Sequence, residues 1–282
     1  MPAWADAMRG LAAAVLATVV SAAPGMAQTS DLVSKTAFRV CADPANYPMS
    51  DREERGYENR LAELFARELD LPVDYTWYPM ATGFIRNTLR GNRCDVVMGY
   101  AQGHELVLNT NHYLVSAYTL VVPKSGPLAD VDHLADPALK DRRIGVVAGS
   151  PPADHMARNG LIAKARPYSL MVDRRYESPV SDMLADLDAG EIDAAVIWGP
   201  LAGPLVKETY ADRLVVIPLI KEELPPRLFF RITMGVRQGE KVWERKLNSL
   251  IRRNQAEIDT ILREAGVPLI TDMGDAVREA AR

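Results

Sequence analysis

The sequence lacks every short pattern that is typical of a catalytic or nucleotide-binding site. It has no G-x-S-x-G, Walker or G-x-G-x-x-G motif. Its four histidines, His104, His112, His133 and His155, do not have the spacing of a metal site. A catalytic Cys–His arrangement would need an unpaired thiol, and the chain has only two cysteines. These absences argue against an enzyme, and we predict no catalytic and no metal-binding residues.

An excess of basic charge is also absent. The chain has 33 Lys and Arg residues against 37 Asp and Glu, which gives a formal net charge of -4. No cluster of Lys and Arg could follow a phosphate backbone, so we expect no nucleic-acid partner. The contents of 48% apolar and 25% charged residues are typical of globular proteins, and 282 residues are enough for two domains.

Apolar runs long enough to span a bilayer are missing. The run Leu11–Ala23 is too short, and it is followed by Gly25-Met-Ala27, which fits a small-x-small cleavage site. We therefore predict a signal peptide over residues 1–27 and export to the periplasm. A disordered or anchoring N-terminus is the alternative. Translation from Met8 in place of Met1 would give a more typical signal.

The two cysteines, Cys41 and Cys94, fall on neighbouring predicted strands. In an exported protein such a pair suggests one disulfide. Two small buried thiols are the alternative, because free cysteine packs like an apolar residue. A bridge between adjacent parallel strands needs a favourable stagger, so the residues alone leave both possibilities open.

Short apolar strands alternate with amphipathic helices in two separate stretches of the chain. The first stretch has strand Phe38–Ala42, helix Gly56–Leu69, strand Val73–Trp77, helix Gly83–Leu89 and strand Asp95–Tyr100. The chain leaves this unit near Tyr118–Pro123. The second has strand Arg143–Ala148, helix Ala153–Asn159, strand Ser169–Val172, helix Pro179–Ala189, strand Asp193–Trp198, a helix from Leu201 to Glu208 and strand Leu214–Leu219. A short apolar segment, Thr233–Arg237, and a long helix, Lys241–Ala265, follow.

This order predicts an α/β fold with parallel strands and right-handed crossovers in each unit. Two such units with a returning C-terminus indicate the bilobal, type II architecture of periplasmic binding proteins. We predict two lobes with mixed or parallel sheets, joined by two crossing strands. The first lobe would comprise residues 37–120 plus 218–268, and the second residues 121–217.

Ligands of such folds bind at the carboxyl ends of strands, in the cleft between the lobes. The cleft positions are then Asp43–Ser50, Trp77–Gly83, Tyr100–Gly103, Gly149–Asp154 and Trp198–Leu201. Aromatic side chains provide a large contact area at low entropic cost, which suits an apolar ligand or a protein segment. The predicted contact residues are the aromatics Tyr47, Trp77, Tyr100 and Trp198, and the polar residues Asp43, Asn46, Arg86, Asn87, Gln102 and Ser150.

Receptors for α-amino acids commonly bind the carboxylate with an arginine and the ammonium with an aspartate. Leu106 and Trp198 stand at the corresponding places here, so a buried zwitterion would lack both partners. We therefore expect an aromatic cleft without an ion clamp. Ser150 could contribute to an anion site at the start of a helix, or it could cap that helix. Arg86 could contact a ligand, or form a surface salt bridge.

Several motifs resemble the MxaJ/XoxJ type of periplasmic-binding-protein-like accessory proteins of quinoprotein methanol dehydrogenases. The matching stretches are Arg39-Val-Cys-Ala-Asp-Pro44, Gly56-Tyr-Glu-Asn59, Tyr75-Thr-Trp-Tyr-Pro79, Gly83-Phe-Ile-Arg-Asn-Thr-Leu89, Cys94-Asp-Val-Val97, Thr110–Tyr113 and Gly266-Val-Pro268. Cys41 and Cys94 match family positions, which favours the disulfide. Leu114-Val-Ser-Ala117 departs from the usual Tyr-Arg-Ser-Thr, which puts in doubt any contact of that arginine and the identity of the dehydrogenase.

The resemblance implies a periplasmic partner protein that carries no cofactor of its own. Its partner would be a PQQ-dependent methanol or alcohol dehydrogenase with calcium or a lanthanide, together with its cytochrome c. We expect the enzyme, or a segment of it, to bind in the aromatic cleft during maturation or activation. The alternative is the substrate-binding protein of an ABC transporter for a small apolar or aromatic solute.

Overall fold

The computed structural model describes residues 32–222 and 224–279. The predicted signal peptide, residues 1–27, lies outside the described residues. Over the described ranges, no helix combines the length and the apolar character that a membrane crossing would require.

Within the described residues, nine strands form one mixed sheet, and two further short strands form a separate hairpin. The strands are β1 Phe38–Ala42, β2 Ala45–Asn46, β3 Ser50–Asp51, β4 Val73–Trp77, β5 Val96–Ala101, β6 Leu108–Pro123, β7 Ile144–Val147, β8 Arg166–Tyr168, β9 Ala194–Trp198, β10 Leu214–Pro218 and β11 Phe229–Val236. The helices are α1 Tyr57–Leu69, α2 Phe84–Asn87, α3 Pro151–Arg158, α4 Pro179–Asp188, α5 Gly199–Leu205 and α6 Lys241–Ala265. A 3-10 turn covers Pro137–Leu139, and a π-helical turn covers Val206–Tyr210.

Strand β6 connects the two halves of the sheet. Its residues 108–117 pair with β11, which continues through β5 and β1 to β4; we call this part the first half-sheet. Its residues 118–123 pair with β9 on one side and β10 on the other, and β7 and β8 follow β9; this part is the second half-sheet. The β1 pairs with β4 and β5 are parallel, whereas β11 and β6 are antiparallel to their neighbours. The predicted mixed α/β fold is therefore confirmed, and the proposed lobe boundaries stay a prediction.

The sequence identified Tyr118–Pro123 only as the place where the chain leaves the first unit, whereas the structure has one sixteen-residue strand, β6, from Leu108 to Pro123. Polar residues in the first part of β6 interrupt the apolar–polar alternation expected of a strand. In the structure, polar side chains of this part form hydrogen bonds with β11. The Nδ2 amide of Asn109 donates to Thr233 Oγ1 over 2.8 Å, and Thr110 Oγ1 accepts from the Met234 N–H over 2.9 Å. Strand β11 likewise begins four residues earlier than predicted, at Phe229.

The first half-sheet carries α1 and α6 on one face. Helix α6 has the predicted bounds, and its apolar stripe is buried: Trp243, Leu247, Leu250, Ile251, Ile258, Ile261 and Leu262. Phe38 of β1 contacts both helices, with ring centroids 6.4 Å from Phe65 and 6.1 Å from Trp243. The stripe predicted for the last helix thus covers the core of the first half-sheet.

The second half-sheet is buried on both faces, as the continuous apolar strands require. Successive residues of β6 alternate between two cores: Leu120 and Val122 join Ile144 and Met156, whereas Val121 packs with the residues of α4. This sandwich holds the ends of β7 and β9 rigidly beside each other, where the cavity described below opens.

A tight contact fixes the loop that follows β1. Gly56 precedes α1, and a Cβ atom at this position would lie 2.1 Å from the Met49 carbonyl oxygen. The Asn59 side-chain oxygen accepts from the Gly56 N–H over 3.1 Å and from the Asp51 N–H over 3.2 Å. Helix α1 therefore anchors residues 43–51, which carry three of the predicted cleft residues.

The predicted disulfide is present. Cys41 and Cys94 are bonded with a Cα–Cα distance of 5.4 Å. Strands β1 and β5 are parallel neighbours, as expected, but Cys94 lies two residues before β5 begins, in the bend that leads into the strand. This position supplies the stagger that a bridge between parallel strands needs.

Candidate ligand-binding cavity

A cavity of about 560 Å³ lies where residues of the two half-sheets meet, which is an ordinary size for a small-ligand pocket. It is bounded by the loop after β1, the ends of β7 and β9, helix α5 and the loop between β8 and α4. The lining residues are Pro44–Tyr47, Glu53, Arg55, Tyr118, Val147, Ser150, Ser169, Leu170, Val172, Arg174, Glu177–Ser181, Val196–Trp198, Leu201 and Leu205.

The floor of the cavity is aromatic and aliphatic. Trp198 is half-buried at the carboxyl end of β9, with its ring centroid 5.3 Å from Tyr118 and 5.7 Å from Phe230. Aliphatic side chains from the ends of β7 and β9 and from α5 complete this surface: Val147, Val196, Ile197, Leu201 and Leu205. The floor can therefore accept an apolar group but offers no charged partner.

The mouth of the cavity is crossed by a polar link between the halves. Arg174 Nη1 donates to Asn46 Oδ1 over 2.6 Å and lies 3.5 Å from Asp43 Oδ2. Asp43 is 2% exposed, and its two carboxylate oxygens accept from the N–H groups of Ala45 and Met80 over 2.9 and 2.8 Å. Asp43 thus holds the turn in place while Arg174 compensates its charge.

A second link runs through Tyr47, whose hydroxyl donates to Glu208 Oε2 over 2.7 Å. Partial burial, together with this hydrogen bond to the Glu208 carboxylate, raises the pKa of Tyr47 to about 12. The phenol therefore remains a neutral donor at physiological pH. The Arg55 guanidinium lies 5.2 Å from the centroid of the Tyr47 ring.

The structure brings together part of the predicted contact set. Asn46, Tyr47, Ser150 and Trp198 line the cavity. Asp43 is not a lining residue, but it lies 3.5 Å from the lining residue Arg174. The other five predicted residues, Trp77, Arg86, Asn87, Tyr100 and Gln102, do not line it.

Those five residues lie on the first half-sheet and its loops. Trp77 stacks on Tyr75 with centroids 4.5 Å apart, and Tyr100 meets the edge of His104 at 5.2 Å. Asn87 donates to the Tyr78 hydroxyl over 2.9 Å. Arg86 and Gln102 are exposed, and Arg86 forms no ion pair with any described residue. Contact of these residues with a partner stays a prediction.

Ser150 has neither of the two roles that the sequence suggested. It is the residue before α3, but its hydroxyl makes no side-chain capping bond and instead donates to the Val147 carbonyl over 2.7 Å. Because the hydroxyl donates its proton to the carbonyl at the end of β7, that proton is not available to an anion.

The expectation of a cleft without ion pairs is wrong at the mouth. Besides the Arg174–Asp43 contact, Arg55 lies 2.7 Å from Asp51 and 3.7 Å from Glu53. The expectation failed because Arg174 comes from the loop 169–178, of which the sequence assigned residues 169–172 to a strand and the rest to no element.

That loop, residues 169–178 between β8 and α4, supplies cavity-lining residues that the sequence reasoning missed. The apolar run Ser169–Val172 predicted a strand, but the structure places β8 three residues earlier, at Arg166–Tyr168, and leaves Leu170 and Met171 exposed. β8 is an edge strand and contains Pro167, which such a position tolerates. The signal that could have drawn attention to this segment is its place between a strand and a helix of the second unit, because binding residues are commonly carried by loops on a rigid scaffold.

Named relatives cover almost the whole chain, although no family model matches it. Protein MoxJ of Methylorubrum extorquens AM1 is 26% identical over 92% of this chain and 93% of its own length. An uncharacterised protein of Paracoccus denitrificans is 56% identical over 73 residues, which are 26% of this chain and 87% of that protein. The crystal structure of the periplasmic binding protein XoxJ from Methylobacterium extorquens AM1 is 39% identical, with a TM-score of 0.71 over 84% of this chain and 100% of XoxJ.

The chain belongs to the MxaJ/XoxJ family of periplasmic binding proteins. The crystal structure of MxaJ from Methylophaga aminisulfidivorans agrees, with 25% identity and a TM-score of 0.70 over 83% of this chain and 100% of MxaJ. The resemblance stated from the motifs is therefore confirmed.

More distant structures show the fold alone. An ancestral cationic amino acid solute-binding protein matches with a TM-score of 0.65 at 20% identity. An ancestral amino-acid-binding protein described as a precursor of cyclohexadienyl dehydratase matches with a TM-score of 0.56 at 18% identity. The predicted type II binding-protein fold is confirmed. The similar structure of XoxJ is described as that of a periplasmic binding protein.

The hydrogen bond between Arg174 and Asn46 leads to a prediction about the mobility of the cavity mouth. In Arg174→Ala, amide hydrogen exchange of residues 45–47 should be about fivefold faster, because a partly exposed charge-assisted link contributes roughly 1 kcal/mol. Arg175→Ala is the matched control, since Arg175 pairs with Asp173 of its own loop at 2.6 Å. Equal exchange in the two variants would show that Arg174 does not restrain the mouth.

Proposed function

We propose that this protein is a periplasmic accessory factor for a PQQ-dependent methanol or alcohol dehydrogenase. It binds the enzyme, or a segment of it, in the cavity and assists its maturation or activation. Family membership supports the choice of partner. The observation that carries the proposal is the apolar floor around Trp198, which opens beside a cluster of exposed apolar side chains.

These exposed side chains lie on the loop that lines the cavity. Leu170, Met171 and Tyr176 are 59%, 72% and 81% exposed within a stretch of ten residues. Clusters of large exposed apolar side chains commonly mark surfaces that bind other macromolecules. A receptor that encloses a small solute does not require them, whereas a protein partner reaching into the cavity would cover them.

Under this proposal the chain supplies binding and not catalysis. The partner enzyme would carry PQQ and calcium or a lanthanide. We expect the cytochrome c of that enzyme to join the same complex. A segment of the partner would enter beside the Arg174–Asn46 and Tyr47–Glu208 hydrogen bonds, which join the two sides of the mouth. Closure on the segment would then select one conformation of the partner. Export requires the N-terminal segment, residues 1–27, to act as the signal predicted from the sequence.

The test is capture of a purified PQQ dehydrogenase, and of the dehydrogenase in a periplasmic extract, by the immobilised protein. We expect Trp198→Ala to weaken capture by about tenfold, because a half-buried tryptophan on a pocket floor is a common binding hot spot. Met273→Ala removes an exposed apolar side chain outside the cavity and should leave capture unchanged. Recovery of no dehydrogenase would contradict the proposed partner, and equal loss in both variants would contradict the cavity as the site.

A second candidate is a transport receptor for a small apolar or aromatic solute, favoured by the cavity volume and its apolar floor. It predicts a thermal shift with such a solute and no capture of a dehydrogenase. Permease and ATPase genes beside the gene would support it, whereas dehydrogenase and cytochrome c genes would support the first proposal.

A further inference from the structure

We infer that the group taken by this cavity is an apolar moiety that carries a carboxylate, with the apolar part on Trp198 and the carboxylate on Arg174. The inference rests on the proposed function in that the same cavity is the docking site, and it names the chemistry of what docks. The carboxylate could belong to a free organic acid or to the C-terminal residue of a polypeptide.

The charges around the cavity are confined to its mouth. The charged lining residues are Glu53, Arg55, Arg174 and Glu177, which come from the segment after β1 and from the loop 169–178. The ends of β7 and β9 and helix α5 contribute uncharged side chains to the lining. A ligand that satisfies both regions must be apolar at one end and polar at the other.

Arg174 has unused hydrogen-bonding capacity. A guanidinium has five N–H donors, and only Nη1 of Arg174 is engaged, with Asn46 and Asp43. Its Nε and Nη2 groups form no hydrogen bond within residues 32–222 and 224–279, and the side chain is 42% exposed. Two adjacent donors in one plane match the two oxygens of a carboxylate.

The other lining cation is already occupied. Arg55 Nε donates to Asp51 Oδ2 over 2.7 Å, its Nη2 lies 2.7 Å from the same oxygen, and Glu53 lies 3.7 Å away. A ligand carboxylate at Arg55 would have to displace these partners, whereas at Arg174 it would find free donors.

Three carboxylates oppose an anion at Arg174. Glu53 lies 3.7 Å from Arg55, which compensates its charge. Asp43 lies 3.5 Å from Arg174, but its oxygens also accept two backbone N–H groups, which compensate part of its charge. Glu177 could attract a cationic ligand, but its side chain makes no hydrogen bond with a described residue and would have to be ordered on binding. Arg174 is already held by Asn46, so its free edge is preorganised.

Arg174, the cation with free donors, lies in the loop that follows β8 and therefore on the side of the cavity formed by the second half-sheet. The sequence lacks the arginine that amino-acid receptors commonly use near Leu106, and Trp198 stands where they commonly place an aspartate. A ligand with an apolar body and a carboxylate needs no ammonium partner, which agrees with both replacements.

The experiment is calorimetric titration of the purified protein with 3-phenylpropionate, 3-phenylpropan-1-ol and 3-phenylpropylamine. We expect the acid to bind about tenfold more tightly than the alcohol and the amine. Arg174→Gln should remove this preference, whereas Arg175→Gln, at the neighbouring arginine that pairs with Asp173, should preserve it. Thermal melting checks that each variant is folded.

A second arm uses short peptides that end in phenylalanine, with a free or an amidated C-terminus. Tighter binding of the free-carboxylate peptide than of the organic acid would identify a chain end as the source, and the reverse order a free solute. Equal binding of acid and alcohol, no binding of any probe, or an unchanged preference in Arg174→Gln would each overturn the inference. Dehydrogenase capture would still succeed in those cases if the proposed function alone is correct.

Discussion

Removal of the Cys41–Cys94 disulfide is expected to lower the free energy of unfolding by about 4 kcal/mol. The bridge joins residues that are 53 positions apart, so it restricts a long loop in the unfolded chain. In the chain-entropy account, a loop of this length gives an effect of that order. Both sulfurs lie in a buried cluster with Phe84, Ile85 and Leu89, so alanine is the replacement that leaves no buried polar group.

The measurement is urea unfolding of the Cys41→Ala/Cys94→Ala double variant beside the oxidised parent protein. The parent protein treated with reductant is the matched control, because it loses the covalent bond but keeps both side chains. We expect the reduced parent and the double variant to be destabilised to a similar extent. A loss below about 1 kcal/mol in both would show that the bridge contributes little to stability.

Replacement of Glu58 by glutamine is expected to stabilise the protein above neutral pH by roughly 3 kcal/mol. Glu58 lies in the first turn of α1, is 6% exposed, and makes no side-chain hydrogen bond with a described residue. Its carboxylate lies against Gly99, where an added Cβ would be 2.1 Å from Glu58 Oε1. Burial, with a smaller contribution from the charge of Asp43, raises the pKa of Glu58 from 4.5 to about 7.

The sign follows from this upward shift. The folded protein holds the Glu58 proton more tightly than the unfolded chain, so the stability from protonation is fully present below pH 4.5. It is lost as the pH rises to 7 and beyond, where folding requires an unpaired buried carboxylate. Glutamine removes this loss, and the benefit of Glu58→Gln should grow from pH 5 to pH 8.

Denaturant unfolding at several pH values between 5 and 8 measures the difference between the variant and the parent protein. Glu63→Gln is the matched control, because Glu63 lies on the same helix but is exposed. Its effect should not change with pH. A Glu58→Gln difference that is independent of pH would mean that the carboxylate is ionised in the folded protein throughout this range.

The elements of the fold could largely be predicted from the sequence because their patterns are local. The bounds predicted for α6 and β4 agree with the structure, since each buries one face of a continuous run. The approach of Cys41 to Cys94 followed from two adjacent strands in the expected order. Trp198 could be placed at the cavity because it ends a buried strand, where ligands of such folds bind.

The cavity mouth could not be predicted, because its contacts join residues that are far apart in the chain. Arg174 meets Asn46 across 128 positions, and Tyr47 meets Glu208 across 161. Neither contact leaves a periodic signal near either partner. The apolar run after β8 favoured a strand, and only the ending of β8 at Tyr168 frees Arg174 to reach the opposite half-sheet.

The sequence by itself determined the family, the α/β alternation and the place of Trp198 at the end of a buried strand, since these depend on residue type and local spacing. The tertiary structure alone decided that the mouth is charged and that, among the described residues, Arg174 retains free donors and Glu58 is buried without a hydrogen-bond partner. Electrostatic environment depends on distance and solvent exposure, which arise only when separate elements pack against one another.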